Sequence, residues 1–107
     1  MDTQSAIKAY IPMSETAYYI LLSLTIPKHG YGVMQHVTEL SGGRITLGAG
    51  TLYGSISKME RDSVIRFISE ENKRKTYEIT ALGRDVLKAE IARITELYLN
   101  AKGVMEQ

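Results

Sequence analysis

The apolar residues in the first half of the chain recur at steps of three and four, which is the period of amphipathic helices. We predict three such helices. The first begins near Ser14, a favourable capping residue, and ends at Pro27. The second begins at Tyr31 and is stopped by Gly42 and Gly43. The apolar stripes of the three helices are, in order, Ala17, Ile20, Leu21 and Leu24; Val33, Val37 and Leu40; and Leu52, Ile56 and Met59.

The period changes after the third helix, and the new pattern predicts strands. Residues 65–69 and 76–80 are rich in β-branched and aromatic side chains. The polar stretch 70–75 between them predicts a β-hairpin with a charged tip. Residues 1–11 are predicted to form a short arm, and residues 44–47 a short extended piece.

A last helix is predicted from residue 81 to about 102, with Thr80 as its cap, and it would be ~33 Å long. Six apolar residues on it alternate steps of four and three, which is a heptad seam: Leu87, Ile91, Ile94, Tyr98, Ala101 and Met105. One small domain has little surface to cover so long a stripe. We therefore expect a dimer interface centred on Leu87, Ile91, Ile94 and Tyr98. An intramolecular core role for one face of this helix stays open as an alternative.

This order of elements predicts a mainly α protein with a small β-hairpin. The layout of three short helices, a hairpin and a long helix is that of a winged helix-turn-helix. We expect residues 1–80 to hold an N-terminal arm and a winged-helix DNA-binding domain. Residues 81–107 would then form a C-terminal dimerisation helix.

Three motifs resemble those of the PadR family of bacterial transcriptional regulators: Gly30-Tyr31-Gly32, Gly50-Thr51-Leu52-Tyr53, and the run from Lys73 to Ile79 followed by Thr80-Ala81-Leu82-Gly83. The match covers roughly residues 13–105, and the length is similar to that of the short subfamily with a single C-terminal dimerisation helix. The resemblance implies a homodimeric, sequence-specific DNA-binding regulator, more specifically a repressor. The chain departs from the family at Gly54, where many members have proline, and at Ser63, where a glycine commonly ends the recognition helix.

The third helix and the hairpin tip carry the candidate contacts to DNA. A helix in the major groove needs small polar donors and a few cations, and a wing uses basic side chains along the phosphate backbone. The candidates are Thr51, Tyr53, Ser57, Lys58, Arg61, Lys73, Arg74 and Lys75. The alternatives are an ordinary solvated helix and a solubilising turn. Glu70 and Glu71 also dilute the positive field of the tip.

Composition and charge narrow the class of protein. A chain of 107 residues with 44% hydrophobic and 23% charged residues is typical of one globular domain. The net charge is only +1, but residues 44–75 carry seven basic and four acidic groups, so an anionic partner would bind there. No apolar run approaches the ~18 residues of a membrane span. The first residues lack the pattern of a secretory signal, so we expect a cytoplasmic protein with no membrane partner.

Other chemistries have weak support in the sequence. The absence of cysteine excludes disulfides and thiolate chemistry. Residues 48–54 have the spacing G-x-G-x-x-x-G, one residue too long for a dinucleotide-binding fingerprint, so we expect these glycines to permit the turn and a close helix crossing. His29 and His36 lack the spacing of a helical metal pair and are expected on the surface. We therefore predict no enzyme, cofactor or metal site.

The expected partners are double-stranded DNA with a pseudo-palindromic operator and a second copy of the chain. The resemblance also implies that a flat aromatic effector can lie between the two C-terminal helices, near Ile94. The chain has no tryptophan to act as a stacking plate there. A winged-helix protein–protein interaction module without DNA binding is the alternative, and the modest net charge supports it.

Overall fold

The structure is a computed structural model that describes all 107 residues. The elements are α1 (Thr3–Tyr10), α2 (Glu15–Ser23), β1 (Lys28–His29), α3 (Gly30–Leu40), α4 (Ala49–Arg61), β2 (Ile65–Glu71), β3 (Arg74–Ile79) and α5 (Ala81–Met105). The predicted order of three helices, a hairpin and a long helix is confirmed. The structure adds one helix and one strand that the pattern did not predict.

The N-terminal segment forms a helix, so the prediction of a short arm is wrong. The Asp2 carboxylate caps α1 by accepting a hydrogen bond from the backbone N–H of Ser5 at 2.7 Å. Ala6 is fully buried, and Tyr10 packs against the edge of the core. A helix of eight residues is not stable alone, so α1 owes its structure to packing, which is mainly against α5.

The ends of α2 and α3 agree with the predicted signals. The Ser14 hydroxyl accepts a hydrogen bond from the N–H of Ala17 at 3.1 Å. Gly42 and Gly43 end α3 with φ angles of 61° and 84°, which glycine adopts without strain. The stretch 44–47 is irregular and forms no strand.

Two glycines before and within α4 do not have the role we predicted. A Cβ at Gly48 or Gly50 would meet open space, and Gly48 has an ordinary φ of −79°. The expectation that they permit a close helix crossing is therefore wrong. Close approach occurs instead at Gly30 and Gly83.

The wing is a three-stranded antiparallel sheet in the order β1-β3-β2. The hairpin is tighter than predicted, because only Asn72 and Lys73 separate β2 from β3. Their φ angles of 52° and 64° are those of a type I′ turn. The unpredicted strand β1 pairs His29 with Thr76, and this pairing holds the start of α3 against the wing.

The first half of α5 belongs to the core of the subunit. The Thr80 hydroxyl caps the helix, as predicted, by accepting a hydrogen bond from the N–H of Gly83 at 3.0 Å. Leu87 is only 5% exposed, so it is not at the centre of an exposed seam as we expected. The first three turns of α5 face other parts of the same chain, and the exposed apolar stripe begins at Ile91. No helix of the chain combines the length and the apolar character needed to cross a membrane.

One buried charge joins α5 to the turn between α1 and α2. The fully buried Glu90 accepts a hydrogen bond from the N–H of Met13 at 2.7 Å and pairs with Arg93. The hydrogen bond from Arg93 is the main cause that lowers the pKa of Glu90, and the bond from Met13 adds to it. Glu90 is therefore ionised and satisfied in the fold.

Candidate nucleic-acid interface

Helix α4 buries one face and exposes every polar side chain that we predicted on it. Leu52, Ile56 and Met59 enter the core. The exposed surface has two flanks. Tyr53 and Ser57 face the wing, whereas the side that carries Lys58 faces α1 and the start of α2.

An open groove of about 450 Å³ lies between α4, the start of α3 and the wing. We call it the wing groove. Its lining residues are His29, Gly30, Tyr31, Tyr53, Ser57, Lys73, Arg74, Lys75 and Tyr77. The fold thus brings five of the eight predicted contacts into one concave surface: Tyr53, Ser57, Lys73, Arg74 and Lys75.

The ring of Tyr53 lies against Gly30, where α3 begins. A Cβ atom on Gly30 would stand 2.5 Å from the Tyr53 hydroxyl oxygen and 2.8 Å from its Cζ. Glycine at this position therefore lets a half-exposed phenol reach the first turn of α3. The first backbone amides of a helix lack intrahelical partners and attract anions. His29 occupies one of them, because its Nδ1 accepts a hydrogen bond from the N–H of Gly32 at 3.3 Å.

The wing supplies cations that no carboxylate neutralises by direct contact. Lys73, Arg74 and Lys75 are exposed, and none of the ion pairs within 4 Å involves them. The strand register nevertheless places Glu70 opposite Lys75 and Glu71 opposite Arg74. Lys73 stands at the turn with no acidic residue opposite. The positive potential is therefore strongest at the tip and weaker along the strands.

Three aromatic or imidazole side chains of the wing groove were not among the predicted contacts. The rings of His29 and Tyr31 stack with centroids 6.5 Å apart, and Tyr77 forms part of the floor. Tyr77 is supported from behind by the edge of Phe67, at 6.1 Å between centroids. The motif Gly30-Tyr31-Gly32 was the one available signal, but it gave no indication of where the side chains lie.

The other three predicted contacts lie outside the wing groove. Thr51 and Arg61 are exposed near opposite ends of α4. Lys58 already has a partner, because its Nζ donates a hydrogen bond to the Asp62 carboxylate at 2.8 Å. No group of three or more metal-ligating side chains lies close enough together to hold an ion.

A helix-turn-helix whose second helix is exposed beside a small sheet defines the winged helix-turn-helix class of proteins. The family model of the PadR-like transcriptional regulators matches residues 13–89, and the chain belongs to this family. It is therefore a DNA-binding transcriptional regulator and not an enzyme.

Solved structures with similar folds cover nearly the whole chain. RosR from H. salinarum has a TM-score of 0.68 at 14% identity and matches 92% of this chain and 99% of its own. A PadR-like transcription factor from Bacteroides fragilis has a TM-score of 0.66 at 21% identity, with 95% of each chain covered. A PadR family transcriptional regulator from Eggerthella lenta has a TM-score of 0.66 at 21% identity, with coverage of 97% and 88%. Similarity at these identities confirms the fold.

Two relatives are similar in sequence, and both are uncharacterized proteins. A 37.1 kDa protein of transposon TN4556 from Streptomyces fradiae is 31% identical, over 66% of this chain. The chain spans only 20% of that relative's length. Protein X of Lysinibacillus sphaericus is 29% identical, with 75% of this chain and 84% of the relative covered.

Proposed function

We propose that the protein is a homodimeric repressor that binds a pseudo-palindromic DNA site in a sequence-specific manner. Helix α4 enters the major groove, and the wing follows the adjacent phosphate backbone. The observation that carries this proposal is the wing groove, which gathers wing cations, the Tyr53 hydroxyl and the start of α3 beside α4.

The wing groove has the chemistry of a phosphate site. A phosphate there accepts hydrogen bonds from the Tyr53 hydroxyl and from free amides of α3, while Arg74 supplies the charge. Contacts of this type fix the position of α4 without reading sequence. Ser57 lines the same groove from α4, and Thr51 and Arg61 stand on its exposed surface, where they are candidates for base contacts.

The second half of α5 supports the homodimer. Its large apolar side chains between 37% and 82% exposed are Ile91, Ile94, Leu97, Tyr98, Leu99, Val104 and Met105. Burial of apolar surface is worth about 25 cal/mol per Å², and nothing else in the chain covers these residues. A second copy of α5 is the occupant that matches their heptad spacing. The dimer then presents two recognition helices to successive major grooves, ~34 Å apart.

The dimer has a direct test. Replacement of both Ile91 and Ile94 by aspartate places charges in the proposed interface but leaves the subunit core intact. We expect the variant to be a folded monomer by light scattering and circular dichroism. A wild-type protein that is monomeric at micromolar concentration contradicts the dimer.

A groove of about 280 Å³ between α2 and α5 supports an effector site. It is lined by Met13, Glu15, Tyr18, Tyr19, Glu90, Arg93 and Ile94. The rings of Tyr18 and Tyr19 lie 5.6 Å apart and offer flat surfaces next to the proposed dimer interface. We propose that a flat aromatic molecule binds here. The repressor acts in the cytoplasm, where a dimer on an operator blocks a promoter by occupancy alone.

The DNA interface is tested with a duplex of about 30 base pairs selected by the wild-type protein from a random pool, and with a scrambled duplex as the reference. Arg74→Ala removes a groove cation, and Lys88→Ala removes an exposed cation of α5 as the matched control. We expect Arg74→Ala to weaken binding and to reduce the slope of log K against log salt by ~0.9. Lys88→Ala leaves both unchanged.

Gly30→Ala examines the same groove without a change of charge. The new Cβ displaces the Tyr53 hydroxyl, which is the free end of a side chain, so the fold adjusts easily. We expect weaker DNA binding at nearly unchanged thermal stability. If Arg74→Ala and Gly30→Ala both bind like the wild type, the wing groove does not contact DNA. If the wild type selects no duplex at low salt, a protein-interaction module becomes the better account.

A further inference from the structure

One side chain of the recognition helix is tied to the N-terminal helix. The Tyr10 hydroxyl donates a hydrogen bond of 2.6 Å to Oδ2 of Asp62, and Lys58 Nζ donates one of 2.8 Å to the same oxygen. The ammonium group also lies 4.7 Å from the centroid of the Tyr10 ring, which is within cation–π range. Tyr10 is the last residue of α1, and Asp62 is the C-cap of α4. We call these three residues the α1–α4 clamp.

The α1–α4 clamp connects two parts of the molecule that scarcely touch each other directly. Helix α1 packs on α5, and α4 packs mainly on α2, α3 and β2. The burial of Ala6 and the hydrogen bond from Met13 to Glu90 fix α1 and the following turn against α5. The far end of α4 is therefore held relative to α5 through Tyr10.

The charges of the α1–α4 clamp are stable over the ordinary pH range. The hydrogen bond from Lys58, followed by that from Tyr10, lowers the pKa of Asp62. Burial, followed by the hydrogen bond to Asp62, raises the pKa of Tyr10. Arg61 is the other charged group that acts on both, and it favours the ionised form of each. Near neutral pH the carboxylate is ionised, the phenol is a donor, and the charge of Lys58 is locally balanced.

We propose that Lys58 is not a phosphate ligand, but that Tyr10, Lys58 and Asp62 together set the orientation of the recognition helix relative to the dimerisation helix. Tyr10 is thus a positioning residue for DNA binding, although it lies outside the helix-turn-helix. In a dimer joined through α5, this orientation determines how well both copies of α4 fit the two half-sites at once. The inference rests on the proposed function, because it assumes a dimer on DNA.

The test compares specific with non-specific affinity at about 50 to 200 mM salt, by fluorescence anisotropy with the selected and the scrambled duplex. Tyr10→Phe removes the hydroxyl and keeps the ring. Lys58→Met removes the ammonium and keeps the length of the chain. Lys8→Met makes the same change of charge on the exposed side of α1 and is the control. Lys58→Arg retains the ion pair and tests for rescue.

We expect Tyr10→Phe and Lys58→Met each to lower the ratio of specific to non-specific affinity by about fivefold, the effect of one lost hydrogen bond. The salt slope stays at the wild-type value, because no phosphate contact is removed. The double variant is no worse than about one single variant, since both changes open the same clamp. Lys58→Arg retains most of the specificity, and Lys8→Met behaves as the wild type.

Two results overturn the inference. If Lys58→Met reduces the salt slope by ~0.9 and Tyr10→Phe has no effect, Lys58 is a phosphate ligand. If Tyr10→Phe retains the wild-type ratio, α1 does not position α4. Both results leave the proposed function intact, because the wild type and the Arg74→Ala variant still differ. A wild type that binds no duplex refutes the proposed function, and the positioning role with it.

Discussion

Gly83, in the first turn of α5, stands where the long helix crosses the turn after α4. A Cβ atom on this residue would lie 2.0 Å from the carbonyl oxygen of Val64 and 2.7 Å from Cγ1 of Ile79. Carbon and oxygen atoms in contact are normally at least ~3.3 Å apart, so an alanine here requires a shift of more than ~1 Å. The nearest atom belongs to the backbone, and no side-chain rotation can relieve the contact.

The shift also affects the hydrogen bonds that close this junction. The N–H of Thr80 donates to the carbonyl of Val64 at 3.1 Å, and its hydroxyl donates to the carbonyl of Ser63 at 2.6 Å. Each such bond contributes about 1 kcal/mol, and overpacking costs about 1–3 kcal/mol. The higher helix propensity of alanine returns at most about 1 kcal/mol. We therefore expect Gly83→Ala to lower the free energy of unfolding by about 3 kcal/mol.

The assay is thermal and urea unfolding followed by circular dichroism, at one fixed protein concentration because the dimer makes the transition concentration-dependent. A loss of about 3 kcal/mol lowers Tm by at least about 12 °C in a domain of this size. Gly103→Ala is the matched control, since a Cβ there meets open space in the same helix. It should stabilise the protein by up to about 1 kcal/mol. A Gly83→Ala protein within about 1 kcal/mol of the wild type would refute the close approach.

Two further changes probe features that the structure makes unusual. Ser63 has a φ of 61°, a conformation that costs a non-glycine residue about 1 kcal/mol, so Ser63→Gly should raise the free energy of unfolding in urea by a similar amount; a destabilised variant would contradict this. Glu90→Ala leaves the N–H of Met13 and the charge of Arg93 without their partner, and should cost about 2–4 kcal/mol. Because the pKa of Glu90 is lowered in the fold, its stabilisation is complete above the unfolded value and is lost as the pH falls through the folded value. The decrease in Tm below about pH 5 should therefore be smaller in Glu90→Gln than in the wild type, and equal decreases would show that Glu90 does not titrate in this way.

Most of the fold could be predicted because its elements carry local signals. The helices α2 to α5 and the hairpin follow from apolar spacing and capping residues such as Ser14 and Thr80. Helix α1 lacked such a signal, since its stability comes from packing on α5 rather than from its own pattern. Strand β1 has only two residues, which is too short for a period to be visible.

The heptad on α5 shows a different limit. Spacing identifies a stripe but not the surface that covers it, so Leu87 could not be assigned to the core or to a partner from its position alone. The structure places it in the core, and the exposed stripe starts one turn later.

The wing groove was predictable where its chemistry is local. The basic tip around Arg74 and the motif at Tyr53 are contiguous in sequence. His29 and Tyr31 reach the groove only because β1 pairs with β3 across nearly fifty residues, and no local pattern carries that register. The clamp is similar: the spacing of Lys58 and Asp62 favours an ion pair on a helix, but nothing adjacent in sequence indicates Tyr10.

Hydroxyl-radical footprinting of the wild-type protein on its selected duplex tests the central claim most directly. Two recognition helices joined through paired α5 helices predict two protected stretches on one face of the DNA, ~34 Å apart and related by the symmetry of the sequence. A single protected stretch, or two at a spacing that is not a whole number of helical turns, would contradict the account.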